Sequence, residues 1–175
     1  LGISAVALQA DTDLLLVPDD GWRAAADAVN CPILRRDTVV DAYQIYEAKL
    51  LGASAISLIA ALHTCDELFV HIETAHRIGL SAVVEVQNED EIAMALEAGA
   101  RVIGVSCLDE EQPERGIALS IRLREYVPDH VIFVADGGDA TPEALDLLRE
   151  NGADAVFVKE AFLQGQEMAG LRCAG

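Results

Sequence analysis

Positive charge is scarce in this chain: 12 lysines and arginines stand against 30 aspartates and glutamates, for a formal net charge of −18 and a pI near 4.3. Lysine is nearly absent, with only Lys49 and Lys159, so arginine carries most of the cationic charge. Such a surface repels phosphate backbones and anionic lipid, which argues against nucleic-acid and membrane-surface roles. A small anionic ligand would need its own cationic or helix-N-terminal pocket. Long apolar runs are missing too: none reaches the roughly 18 residues of a membrane span, and no charged segment precedes a signal-like apolar stretch. Cysteine is sparse, and Cys31, Cys65, Cys107 and Cys173 lie far apart without a CxxC pair. No spacing suggests zinc, so reduced thiols and a cytoplasmic location are expected. His63, His71, His76 and His130 are scattered, and His71 and His76 lie five apart, off the i,i+4 spacing of one helix face. Neither a metal nor another cofactor is expected.

What the chain does have is apolar material, 52% of its 175 residues, enough for the core of one soluble globular domain over 1–175. Runs rich in Val, Ile and Ala recur at 3–8, 32–35, 54–60, 81–86, 101–106, 131–135 and 154–158. Between them lie stretches of helical period, such as "DELFVHIETAHRIG", where Leu68, Ile72, Ala75 and Ile78 form one stripe. Near-continuous apolar strands alternating with helices indicate a parallel sheet covered by helices. Gly52, Gly79, Gly99 and Gly152 each stand where a helix gives way to a strand, as four copies of one turn. Asp66, Asn88 and Thr141 are expected as helix N-caps, with Pro142 in the first helical position. This repetition predicts an α/β fold of the TIM-type (β/α) barrel, with an open doubly wound sheet as the alternative.

In such barrels ligands bind past the C-terminal ends of the strands. Arg35, Arg36 and Asp37 follow the second run, Glu85 and Gln87 the fourth, Ser106 and Cys107 the fifth. Asp136, Gly137 and Gly138 follow the sixth, and Lys159 and Glu160 the seventh. Glu85 interrupts a buried strand, where a carboxylate is costly unless it is partnered or works on a ligand. Arg36 and Asp37 read either as ligand groups or as an ion pair at the rim. Trp22 and Tyr43 read as packing residues.

The run "CPILRRDTVVDAYQIYEAKLLGASAISLIAAL" resembles the third and fourth βα units of indole-3-glycerol phosphate synthase. The likeness continues through "VVEVQNEDEIAMALEAGARVIGVSCLD" to "GADAVFVKEAFLQG", about Ile3 to Gly165. It implies strands two to eight only of the eight-stranded barrel, an N-terminally incomplete domain without the first βα unit. It also implies a carboxy-lyase that closes the ring of, and decarboxylates, a carboxyphenylamino-deoxyribulose phosphate in tryptophan biosynthesis. Arg36 stands where the family has an acid lysine, and Glu85 matches the family's acid/base glutamate. With Asp37 these are the expected catalytic residues. Ser106 stands at a family asparagine, Asp136-Gly137-Gly138-Asp139 at the phosphate-binding "ESGI" run, and Lys159 at a family glycine. Ser106, Asp136, Gly137, Gly138 and Lys159 are thus expected to hold the phosphorylated substrate. The competing expectation is a degenerate, non-catalytic barrel that binds a ligand, or pairs with another chain or segment across its open edge.

Overall fold

The computed structural model describes residues 4–9, 22, 24, 28–107, 113–138 and 141–159. These form two compact units that divide between Val83 and Val84.

In the first unit, β1 (Val6–Gln9), β2 (Ile33–Arg36) and β3 (Ala55–Ile59) are parallel and adjacent in chain order. Helices α1 (Ala42–Leu50) and α2 (Cys65–Arg77) follow β2 and β3, the second after a short 3-10 turn at Ala60–Leu62. Ile33, Ile56 and Leu58 from the strands meet Ile45, Ala48, Leu68 and Ile72 from the helices in the buried set. Leu68, Ile72 and Ala75 are the buried face of α2, as their spacing predicts.

The second unit contains the C-terminal half of β4 (Ser81–Val86), then β5 (Val102–Val105), β6 (Ile132–Gly138) and β7 (Ala155–Val158), again parallel in chain order. Helices α3 (Glu89–Glu97), α4 (Pro113–Arg124) and α5 (Pro142–Glu150) follow β4, β5 and β6. Val84, Val86, Ile103, Phe133 and Ala135 from the strands and Ile92, Ala95, Leu123 and Leu148 from the helices are buried. Strand after parallel strand, with a helix after each of β2 to β6, is the α/β architecture of the TIM type. All seven expected strands are present among the described residues.

Two local expectations change. Thr64, not Asp66, caps α2: its side chain accepts from Glu67 N while Glu67 reaches back to Thr64 N, and this reciprocal box leaves Asp66 inside the first turn. Tyr43 is 69% exposed rather than packed, because the buried face of α1 falls on Ile45 and Ala48. Asn88 and Thr141 do cap α3 and α5. The four repeated glycines all take positive φ, between 75 and 92°, which is the left-handed helix end that favours glycine.

Candidate active site at the strand ends

At the end of β2 two arginines part company. Successive strand residues point to opposite faces. Arg35, 8% exposed, takes the helix side: its Nη2 lies 2.7 Å from Asp37 Oδ2 and 2.8 Å from Glu47 Oε2 on α1. Its guanidinium also lies 5.8 Å from the ring centre of buried Trp22. Arg36 is therefore directed to the face away from α1, half-buried and beside Gln9 in the β1–β2 register. Asp37 forms an ion pair with Arg35.

The segment between β2 and α1 is tied down by the helix it enters. Asp41 caps α1 by accepting from Tyr43 N. Gln44 Oε1 accepts from Val40 N at 2.8 Å and Asp41 N at 3.0 Å, while its Nε2 donates to Thr38 O at 2.9 Å. Thr38 N in turn donates to Asp37 Oδ1 at 2.8 Å. The "DAYQIYEA" run thereby gains a physical meaning: Asp41 and Gln44 set the loop, Ile45 and Ala48 fill the core, and Glu47 fixes Arg35.

Near the end of β3, His63 and His71 meet edge to face with ring centres 5.0 Å apart. Nδ1 of His63 lies 2.8 Å from Ile59 O. Burial, and secondarily the neighbouring His63, push the His71 pKa below the ordinary imidazole value, against the opposing pull of Glu67 and Asp41.

In the second unit, Glu85 is 4% exposed within β4 and stands opposite Gly104 in the β4–β5 register. Ser106 is buried just past β5, its N–H donating to Val86 O at 3.1 Å. Strand β6 runs on through Asp136, Gly137 and Gly138, which therefore belong to the strand rather than follow it; an irregularity in the pairing with β7 falls between Asp136 and Gly138. Cys107 N donates to Asp136 Oδ2 at 2.9 Å, and Gly138 N to Asp136 Oδ1 at 3.0 Å. Lys159 is exposed past β7, its N–H donating to Gly138 O at 2.9 Å. Asp139 and Glu160 lie outside the described residues.

Each expected site residue therefore sits at or just past a strand C-terminus: Arg36 and Asp37 in the first unit, Glu85, Ser106, Asp136, Gly137, Gly138 and Lys159 in the second. Sequence reasoning missed the partners behind them. Glu47 behind Arg35 is twelve residues away, and Ser120 and Gly116 behind Asp136 lie on α4. The one local signal was Gly116 itself, a glycine inside a helix.

Parallel strands with trailing helices define a TIM-type (β/α) protein. A family model described as indole-3-glycerol phosphate synthase matches residues 3–171, and the chain belongs to that family. It is 38% identical over 175 residues to the indole-3-glycerol phosphate synthase of Ruminiclostridium cellulolyticum, covering 98% of this chain and 67% of that protein. With the protein of the same description from Lachnoclostridium phytofermentans it shares 37% identity over 163 residues, 93% of this chain and 60% of that one. The chain thus spans about two thirds of the length of these relatives. Among solved structures, one described as "Native KDPGal structure" matches 89% of the chain and 69% of its own with a TM-score of 0.62 and 21% identity. A designed cube-shaped protein cage gives a TM-score of 0.63 at 18% identity, covering 90% of the chain and 63% of its own. These two likenesses show the fold alone.

Proposed function

We propose that the chain is a carboxy-lyase of the indole-3-glycerol phosphate synthase type. In the reaction the ring carbon bearing the carboxylate bonds to the ketone carbon of a carboxyphenylamino-deoxyribulose phosphate. Carbon dioxide leaves, and the hydroxyl formed from the ketone departs as water. Arg36 orients the substrate carboxylate or carbonyl, and Asp37, anchored by Arg35, holds the strand end from which Arg36 projects. Glu85 exchanges protons in the dehydration. Ser106, Gly137, Gly138 and Lys159 hold the phosphate, the glycines by leaving room for it and Lys159 by its charge, while Asp136 serves the same subsite through the backbone. No cofactor enters this scheme, and the product is expected to be released in a cytoplasm.

The observation that carries the reading is Glu85, a carboxylate kept inside an apolar strand opposite a glycine. Held at a strand end, such a carboxyl is placed to exchange protons with a bound ligand. The test is indole fluorescence on incubating the purified chain with the carboxyphenylamino-deoxyribulose phosphate. Turnover by the native chain, with loss of about 10²-fold or more in Glu85→Gln at unchanged melting temperature, is the expected result. Equal rates for the two proteins, or no indole from the native chain, would sink it.

A second reading, a barrel that binds a phosphorylated ligand without turning it over, is favoured by Arg36 alone. Arginine holds anions well but stays protonated at any usable pH. Saturable phosphate binding without indole formation would select it.

A further inference from the structure

Both carboxylate oxygens of Asp136 are occupied by backbone N–H groups from two different strand ends. Cys107, just past β5, donates to Oδ2 at 2.9 Å, and Gly138, the last residue of β6, donates to Oδ1 at 3.0 Å. The N–H of Asp136 itself donates to Ser120 Oγ at 2.9 Å, and Ser120 is buried on α4. The carboxylate is seated against the same helix at Gly116, where a Cβ would stand 3.1 Å from both Asp136 Cγ and Oδ2. Glycine inside a helix is disfavoured. Here the missing side chain makes the space in which the carboxylate sits.

We infer that Asp136 is a positioning residue. Seated on Gly116, it ties the end of β5 to the end of β6 and sets the backbone at Ser106–Cys107 and Gly137–Gly138 against which a substrate phosphate rests. The inference builds on the reading of those residues as the phosphate subsite. It also answers an electrostatic objection: a bare carboxylate next to a phosphate repels it, whereas one saturated by two N–H donors and drawn towards α4 is balanced where it sits. Gly138, at φ 48°, closes the two-residue turn over the Asp136 side chain, a geometry in which Asp readily accepts from the backbone two residues on.

The test uses the full chain in five forms, native, Asp136→Ala, Asp136→Asn, Gly116→Ala and the Asp136→Ala/Gly116→Ala double variant, with inorganic phosphate as the probe. Two quantities are read by NMR: hydrogen exchange at the Cys107 and Gly138 amides, and phosphate affinity from the shifts of those residues. Asp136→Ala should raise exchange at both amides and weaken phosphate by about tenfold, the scale of a lost hydrogen bond to a charged group. Asp136→Asn keeps one acceptor oxygen and should release one amide only. Gly116→Ala, which alters no polar group, should move both quantities in the same direction, and the double variant with Asp136→Ala should be no weaker than Asp136→Ala alone. In turnover the loss should fall on KM rather than kcat. Native-like phosphate binding and native-like amides in a folded Gly116→Ala would overturn the inference while leaving the phosphate reading intact. Absence of any phosphate-dependent shift in the native chain would overturn the phosphate reading, and the ligand role of Asp136 with it.

Discussion

Arginine at position 36 sets a limit on the chemistry of the β2 rim. A guanidinium can grip a carboxylate in two places but does not give up a proton, whereas an ammonium in a half-buried site can do so. Since Arg36 and Arg35 point to opposite faces of β2, replacing the first leaves the ion pairs of the second undisturbed. Arg36→Lys is therefore expected to raise turnover by about 10²-fold, the usual gain from a placed general acid, with little change in melting temperature. The indole fluorescence rate measures it, and a rate that stays level or falls would show that the proton comes from elsewhere. Arg35 behaves in the opposite way. Its Nη2 joins Asp37 and Glu47 from a position 8% exposed, so Arg35→Met strands two carboxylates beside the core. A loss of about 3 kcal/mol in urea unfolding is expected, as for other broken buried pairs.

Helix α2 shows how one element carries two pH responses. His71, buried on it, faces the His63 ring from the segment after β3, Glu67 on its own helix and Asp41 at the cap of α1. Its pKa is lower in the folded chain than in the unfolded one, so the unfolded state binds the proton more readily. The stability linked to neutral His71 is complete above the ordinary imidazole value near 6.5 and drains away as pH falls through it. Thermal unfolding between pH 7.5 and 5.5 should therefore fall more steeply for the native chain than for His71→Leu, and equal slopes would refute the assignment. Glu67, whose hydrogen bonds with Thr64 lower its pKa, responds in a separate and more acidic window. The same element marks where sequence reading stops. The apolar stripe, the glycine turns and the caps at Asn88 and Thr141 were legible because each is decided within one helical turn. Choosing Thr64 over Asp66 required knowing which side chain closes the box with Glu67. Glu85 stood out as a charge in an apolar run, but Glu47 behind Arg35, and Gly116 and Ser120 behind Asp136, are joined by packing alone, and no local period announces them.

For the whole molecule the governing quantity is charge. A formal −18 on 175 residues means that folding gathers 30 carboxylates onto a chain with 12 permanent cations, and compaction works against their mutual repulsion. Among the described residues, the Arg149–Asp146 and Arg122–Glu89 pairs are mostly exposed, and such pairs contribute little. Salt should therefore stabilise the chain: the Debye length shrinks from about 30 Å at 0.01 M to about 3 Å at 1 M, which removes long-range repulsion before it weakens the buried Arg35 contacts. The melting temperature is expected to rise with sodium chloride across this range, and to rise more in Arg35→Met, where screening also eases the two carboxylates left without their arginine and no Arg35 attraction remains for salt to weaken. Affinity for a phosphorylated substrate is subject to two opposed effects, since salt screens both the repelling surface and the local cation at Lys159. Lys159→Gln should separate them: with the local attraction gone, added salt can only improve phosphate binding, whereas in the native chain the gain is partly cancelled. A phosphate titration of both proteins at low and high salt reads this difference directly, and identical salt responses would show that Lys159 does not face the anion.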